Sequence, residues 1–140
     1  DDMLRFGAGL LDDDDDTKTK KLLSRSSLDL LRADSLGARD IPMTDRLISQ
    51  YPGFGLGVWT TDAAKDERIT PRFRRMGKGT GGWGGAAGTA LTTDPENDLV
   101  IVTATQLLNH ILAHPTLQRD LHDLVYDILE EEAPKISESK

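Results

Sequence analysis

Residues 81–106 read GGWGGAAGTALTTDPENDLVIVTATQ, and the architecture is decided in this stretch. Ala87–Thr93 and Leu99–Thr105 are rich in β-branched and apolar residues, and Asp94-Pro95-Glu96-Asn97-Asp98 between them is a run of turn formers. Two such runs across a short turn imply an antiparallel hairpin. Seven of the chain's 13 glycines fall between Gly77 and Gly88, which marks a place where backbone must approach backbone or a ligand closely.

Working upstream, residues 54–61 alternate small and large side chains at period two and read as a strand. Residues 62–72 are charged, end in Pro71 and suit a hairpin loop, with a shorter strand expected near Phe73–Met76. The mixed segment from Ala38 to Pro52 reads as an irregular connection holding one helical turn near Asp45–Ser49. Leu28, Leu30 and Leu31 behind Ser26 or Ser27 predict a helix at about 27–34. Met3, Leu4, Phe6, Leu10 and Leu11 predict another at about 2–11, and Asp12–Asp16 with Lys18, Lys20 and Lys21 a solvated loop between them. Downstream, Leu117, Leu121, Leu124, Val125, Ile128 and Leu129 recur at helical spacing behind Thr116, a ready N-cap. That pattern predicts a terminal helix at about 116–132 whose apolar stripe covers one face of the sheet.

Composition narrows the possible partners. At 37% apolar and 29% charged residues the chain reads as a globular domain, and its apolar runs are too short to span a bilayer. A net charge of −7 opposes binding to phosphate backbones, so nucleic acid is not an expected partner. The absence of cysteine removes disulfides, thiolate metal sites and a cysteine nucleophile together. No cofactor is implied. The opening residues lack a signal-peptide pattern and read as if cut from a longer chain.

Trp83-Gly84-Gly85-Ala86-Ala87-Gly88-Thr89, then Asp94-Pro95 and Leu99–Val102, closing at Gln106, resembles the C-terminal part of the β-lactamase-like, penicillin-recognising serine hydrolases. In that family a Lys-Thr-Gly, His-Thr-Gly or Trp-Gly-Gly triplet begins a strand edging the active site, and an Asp-Pro turn follows. Asp2-Met-Leu-Arg-Phe-Gly, Leu22-Leu23-Ser24 and the Tyr51–Trp59 stretch are similar to further family segments, so the likeness runs from about residue 2 to 130. Only residues 83–106 are specific within it.

The resemblance implies an α+β architecture: an antiparallel sheet of at least three strands, a packed terminal helix, and N-terminal helices from a helical subdomain. The chain then divides into a helical portion and connection at 1–53, strands and terminal helix at 54–132, and a polar tail at 133–140. It also implies that the backbone N–H after the triplet, here Ala86, is one oxyanion donor, with Trp83, Gly84 and Gly85 binding substrate. Glycine there lets an acyl group lie against the backbone, and such donors act where charge develops. The nucleophile of the family lies in Ser-x-x-Lys, which this chain lacks in the expected context. Ser137-Glu-Ser-Lys140 matches the letters but sits in the polar tail, where no rigid scaffold holds a nucleophile against its base. The missing N-terminal part, in the same or another chain, is therefore the expected partner, and the substrate a small ester or amide. The Trp triplet is more similar to the esterase-like members than to true β-lactamases. This chain alone is expected to be inactive, and a non-catalytic binding or partner module of the same fold is the alternative.

Four sharper readings are weaker. Gly79–Gly84 spells G-x-G-x-x-G, but a dinucleotide site needs a buried strand before it and a helix after it. Lys78 as a catalytic lysine requires an insertion, whereas the spacing to Asp94-Pro95 selects Trp83. His110 and His114 stand at i, i+4 without an evident acidic third ligand, and Pro115 biases His114 away from helix. Five adjacent carboxylates at Asp12–Asp16 lack the spacing of a calcium loop.

Overall fold

The computed structural model describes residues 2–11, 22–35, 53–61, 75–108 and 116–137. It has the α+β architecture: helices α1 (Asp2–Ala8), α2 (Arg25–Arg32) and α3 (Leu117–Ser137), and strands β1 (Gly53–Phe54), β2 (Trp59–Thr60), β3 (Gly81–Gly84), β4 (Ala90–Asp94) and β5 (Leu99–Thr103). The strands form one antiparallel sheet in chain order, β1-β2-β3-β4-β5. The readings at 12–21, 38–52 and 62–72 and those on His110 and His114 lie outside the described residues.

The hairpin expected around Asp94-Pro95 is present, with Asp94 opposite Leu99 and Ala90 opposite Thr103. Its first strand begins at Ala90 rather than Ala87, because Ala86–Gly88 are spent on a turn from β3. The single strand expected at 54–61 is instead two strands of two residues each, closed where Gly55 N–H donates to the Val58 carbonyl at 2.8 Å. The period-two alternation is real, but Gly57 at φ +80° reverses the chain in its middle. Arg75 and Met76 lie in a turn rather than the short strand expected near Phe73–Met76, and Phe73 is outside the described residues.

Residues paired across an antiparallel sheet project to the same face. Trp59, Gly82, Thr92 and Ile101 form one such row, and Trp83, Leu91 and Val102 another on the opposite face. On the first face α3 packs through Tyr126, which joins Trp59 and Met76 in the buried core, with Phe54, Leu99 and Ile101 against it. On the second face α1 lies across β4 and β5. A Cβ at Gly7 would collide with Val100, so glycine sets the distance at which α1 rests on the sheet.

Helix α2 begins two residues earlier than the sequence implied. Its cap is Ser24, whose hydroxyl accepts the Ser27 N–H at 3.2 Å, so neither Ser26 nor Ser27 is the N-cap. Helix α3 has Thr116 immediately before it, with the Thr116 carbonyl accepting the Asp120 N–H at 2.8 Å, and it runs on to Ser137 rather than ending at 132. The apolar stripe meets the sheet only in part, with Leu117, Leu121 and Val125 half-buried. Among its described side chains His122 and Tyr126 are the most buried, whereas Leu124 is 55% and Ile128 51% exposed. A buried polar anchor, described next, outweighs the leucine stripe in setting the helix rotation.

Candidate functional site

Strand β4 has two ends of opposite character. At its C-terminal end Asp94 is 1% exposed and accepts from four donors. These are the Gly77 N–H (3.0 Å), the Asn97 N–H (3.3 Å), the Asn97 side-chain amide (2.8 Å) and the Tyr126 hydroxyl (2.5 Å). The Gly77 carbonyl in turn accepts from the hydroxyls of Thr61 at 2.8 Å and Thr80 at 2.7 Å. Burial, and then the bond to Asp94, hold the Tyr126 phenol protonated well above its ordinary range. Arg75 stands over the Tyr126 ring and bonds Asp127 and Glu130 on α3. A carboxylate this fully satisfied is a structural fastener, and it ties β4, the turn at Gly77 and α3 into one unit.

At the other end, β3 leads through a tight turn into β4. The Gly88 N–H donates to the Gly85 carbonyl at 3.0 Å, which makes Gly85–Gly88 a four-residue β-turn with Ala86 at its second position. The Gly85 N–H closes the base of the turn on the Thr89 carbonyl at 2.7 Å. The Ala87 carbonyl is held from the chain after β5, by the Leu107 N–H at 3.1 Å and the Thr105 hydroxyl at 2.5 Å. The turn is thus anchored on both sides. Ala86 is exposed, and among the described residues nothing accepts its N–H.

Trp83 lies in β3 opposite Leu91, 46% exposed, with its ring edge-on to Phe54 at 5.5 Å between centroids. The triplet therefore ends a strand rather than beginning one: Gly81 and Gly82 precede it in β3, and the turn starts at Gly85. The sequence marked the glycine run as a place where backbone approaches backbone or a ligand closely. The structure puts glycine at 82 because a Cβ there would run into the backbone of Leu91 and Thr92 on β4.

Trp83, Gly84 and Gly85 all border a cavity of about 760 Å³ on the α1 face of the sheet. Met3, Phe6 and Leu10 from the α1 region and Leu31 from α2 form its far wall, and Leu91 part of its floor. Ala86 is outside the cavity lining, one residue beyond its rim at Gly85. A Cβ on Gly84 would meet only Thr89 and Gln118 at ordinary contact distances, so the chain's own packing does not demand glycine there. At Gly85 a Cβ would press on the Thr89 side chain, so this glycine has a local steric reason as well.

The other candidates fall away from this end. Lys78 is exposed in the turn before β3, where its N–H bonds Glu96 at 2.5 Å, at the Asp94 end of the sheet and the opposite end of β3 from Trp83. Gly79–Gly84 runs through a turn into a strand that leads to another strand, without the helix a dinucleotide site requires. Sequence reasoning missed Tyr126 and Gly77 as partners of Asp94, and Thr61 and Thr80 as the hydroxyls that hold the Gly77 carbonyl. The one available signal was an aspartate beginning a Pro-containing turn, and nothing local names its distant donors. Among the described residues no helix is long and apolar enough to cross a membrane. No family model matches the chain, and no curated protein matches it either.

Proposed function

We propose that this chain supplies the strand-and-turn wall of a serine hydrolase site of the β-lactamase-like kind. In this reading Ala86 gives one backbone oxyanion donor, and the nucleophile sits in a Ser-x-x-Lys segment outside the chain. The observation that carries the reading is the Ala86 N–H, exposed at the second position of an anchored turn and adjoining Trp83, Gly84 and Gly85 at the cavity rim. A donor fixed by a turn needs little reorganisation when charge develops on an oxygen beside it, which is what an oxyanion site requires.

The chemistry that fits is acyl transfer. The serine oxygen attacks the carbonyl carbon of an ester or amide while its proton passes to a base. The carbonyl oxygen becomes the oxyanion that Ala86 N–H and the nucleophile's own N–H receive. The bond to the alcohol or amine then breaks, with the proton returned to the leaving group, and water releases the acid from the acyl-enzyme. The apolar Trp83 in place of a cation favours an ester over a charged peptide or β-lactam substrate.

A fluorophosphonate probe tests this directly. The chain is purified from its source with any upstream segment or companion chain, treated with the probe, and weighed intact. An adduct is expected on a serine of a Ser-x-x-Lys segment, and none on the 140-residue chain alone. The second reading, a non-catalytic partner module, is favoured by the lack of Ser-x-x-Lys in a suitable context here. It prevails if the longest native assembly carries no such segment and takes no probe.

A further inference from the structure

We infer that the cavity beside Trp83 holds the apolar acyl chain of a neutral ester, an assignment that rests on the hydrolase reading above for its chemistry but on the cavity walls for its selectivity. The volume, about 760 Å³, lies within the range of small-molecule sites. Met3, Phe6, Leu10, Leu31, Leu91 and Trp83 give it an apolar interior. The polar residues on its wall are Arg32 and three threonines, Thr89, Thr93 and Thr103, and the Arg32 guanidinium donates to the Leu10 carbonyl. Such a wall has little to repay the desolvation of a charged group, and it gains from each methylene it covers.

Position assigns the acyl rather than the alcohol part. The rim of the cavity is Trp83–Gly85, and the donor at Ala86 follows directly, so a carbonyl oxygen at that N–H leaves the carbonyl carbon beside the rim. In acyl transfer the acyl group stays bound through both steps, whereas the alcohol departs to solvent. A space walled by α1, α2 and the sheet suits the group that stays. Trp83, held against Phe54 with nearly half its surface uncovered, is positioned to close over that chain.

The test titrates the 140-residue chain with methyl octanoate and methyl acetate by calorimetry. One saturable site is expected for methyl octanoate, at least about tenfold tighter than for methyl acetate, since two buried methylenes already give about that factor. Phe6→Lys, at a position 47% exposed, should weaken methyl octanoate by at least about tenfold without lowering the melting temperature. Phe6→Leu should retain binding. Leu124→Lys, on the far side of the sheet, should leave it unchanged. Equal binding of the two esters overturns the proposal, as does equal loss in Phe6→Lys and Leu124→Lys, which marks nonspecific adsorption. Binding that vanishes when the Ser-x-x-Lys segment joins the chain also overturns it, because that segment then fills the cavity itself. In the assembled enzyme, the preference for p-nitrophenyl octanoate over p-nitrophenyl acetate should fall at least about tenfold in Phe6→Lys. Ester binding without any fluorophosphonate adduct sinks the hydrolase reading alone, and an adduct without ester binding sinks the cavity assignment alone.

Discussion

The two ends of β4 make the most useful comparison in this molecule. Around Asp94 four donors are gathered onto one buried carboxylate, and the result ties α3 and two turns to the sheet. Around Ala86 the turn is just as firmly anchored, through Gly85, Ala87 and Gly88, yet it presents an N–H that the described residues leave unused, beside an exposed tryptophan and an apolar cavity. Saturated hydrogen bonding marks the end that holds the fold. A rigid turn with a donor to spare marks the end that is free to act on something else.

The sharpest way to break this contrast is at the saturated end. Asp94→Ala leaves the Gly77 N–H, the Tyr126 hydroxyl and the Asn97 groups without their acceptor. At about 1–3 kcal/mol for each buried group left unmet, the expected loss is at least about 3 kcal/mol in urea denaturation. A loss below about 1 kcal/mol would mean that water replaces the carboxylate and that Asp94 is no fastener.

The open end should respond in the opposite way. Proline is well suited to the second position of a β-turn, so Ala86→Pro removes the N–H with little strain, and the isolated chain should keep its stability within about 1 kcal/mol. In the hydrolase proposed above, the same change should lower turnover on the order of 100-fold to 1,000-fold. Near-normal turnover by a well-folded Ala86→Pro enzyme would remove Ala86 from the oxyanion site. Gly85→Val is a poorer probe, because its side chain presses on Thr89 and disturbs the turn as well as the site.

A smaller effect distinguishes the ends by pH. Below about pH 10 the Tyr126 phenol is protonated whether the chain is folded or not, so the contribution of its raised pKa is fully present. Above that, the unfolded tyrosine ionises while the folded one keeps its proton, and stability should fall by about 1.4 kcal/mol per pH unit from this group. Tyr126→Phe should lose that part of the slope, as read from denaturation curves between neutral and strongly alkaline pH. Identical slopes in the two proteins would show that folding does not raise the pKa of this phenol. The least effect is expected at Leu124, 55% exposed on the outer face of α3, where Leu124→Lys should change stability by less than about 0.5 kcal/mol. A loss of several kcal/mol there would put the leucine stripe, and not Tyr126, against the sheet.

Much of the frame was legible in the sequence because it depends on neighbours along the chain. The Asp94–Asp98 turn declares its hairpin through residues that favour turns, and the segments around Met3, Leu28 and Leu121 declare helices through spacing. Where two local signals competed, the sequence was ambiguous. At Phe54–Thr60 a period-two pattern concealed a reversal at Gly57, and the strand expected to begin at Trp83 already starts at Gly81 and ends at Gly84.

The candidate site divides along the same line. Trp83, Gly84 and Gly85 were nameable from their order before an Asp-Pro turn, and the structure places all three on one cavity rim. The wall opposite them comes from Met3, Phe6 and Leu10, more than 70 residues earlier, and no property of residues 81–88 announces it. The rotation of α3 was decided in the same way. Its sequence carries a strong leucine stripe, but a hydrogen bond from Tyr126 to an aspartate 32 positions away turns His122 and Tyr126 inward and leaves Leu124 and Ile128 outward. Short-range sterics and periodicity determine which segments become helices, strands and turns, so the sequence alone settled those in outline. Which face is buried, which carboxylate is saturated and which N–H is left over depend on partners that only folding brings within hydrogen-bonding distance.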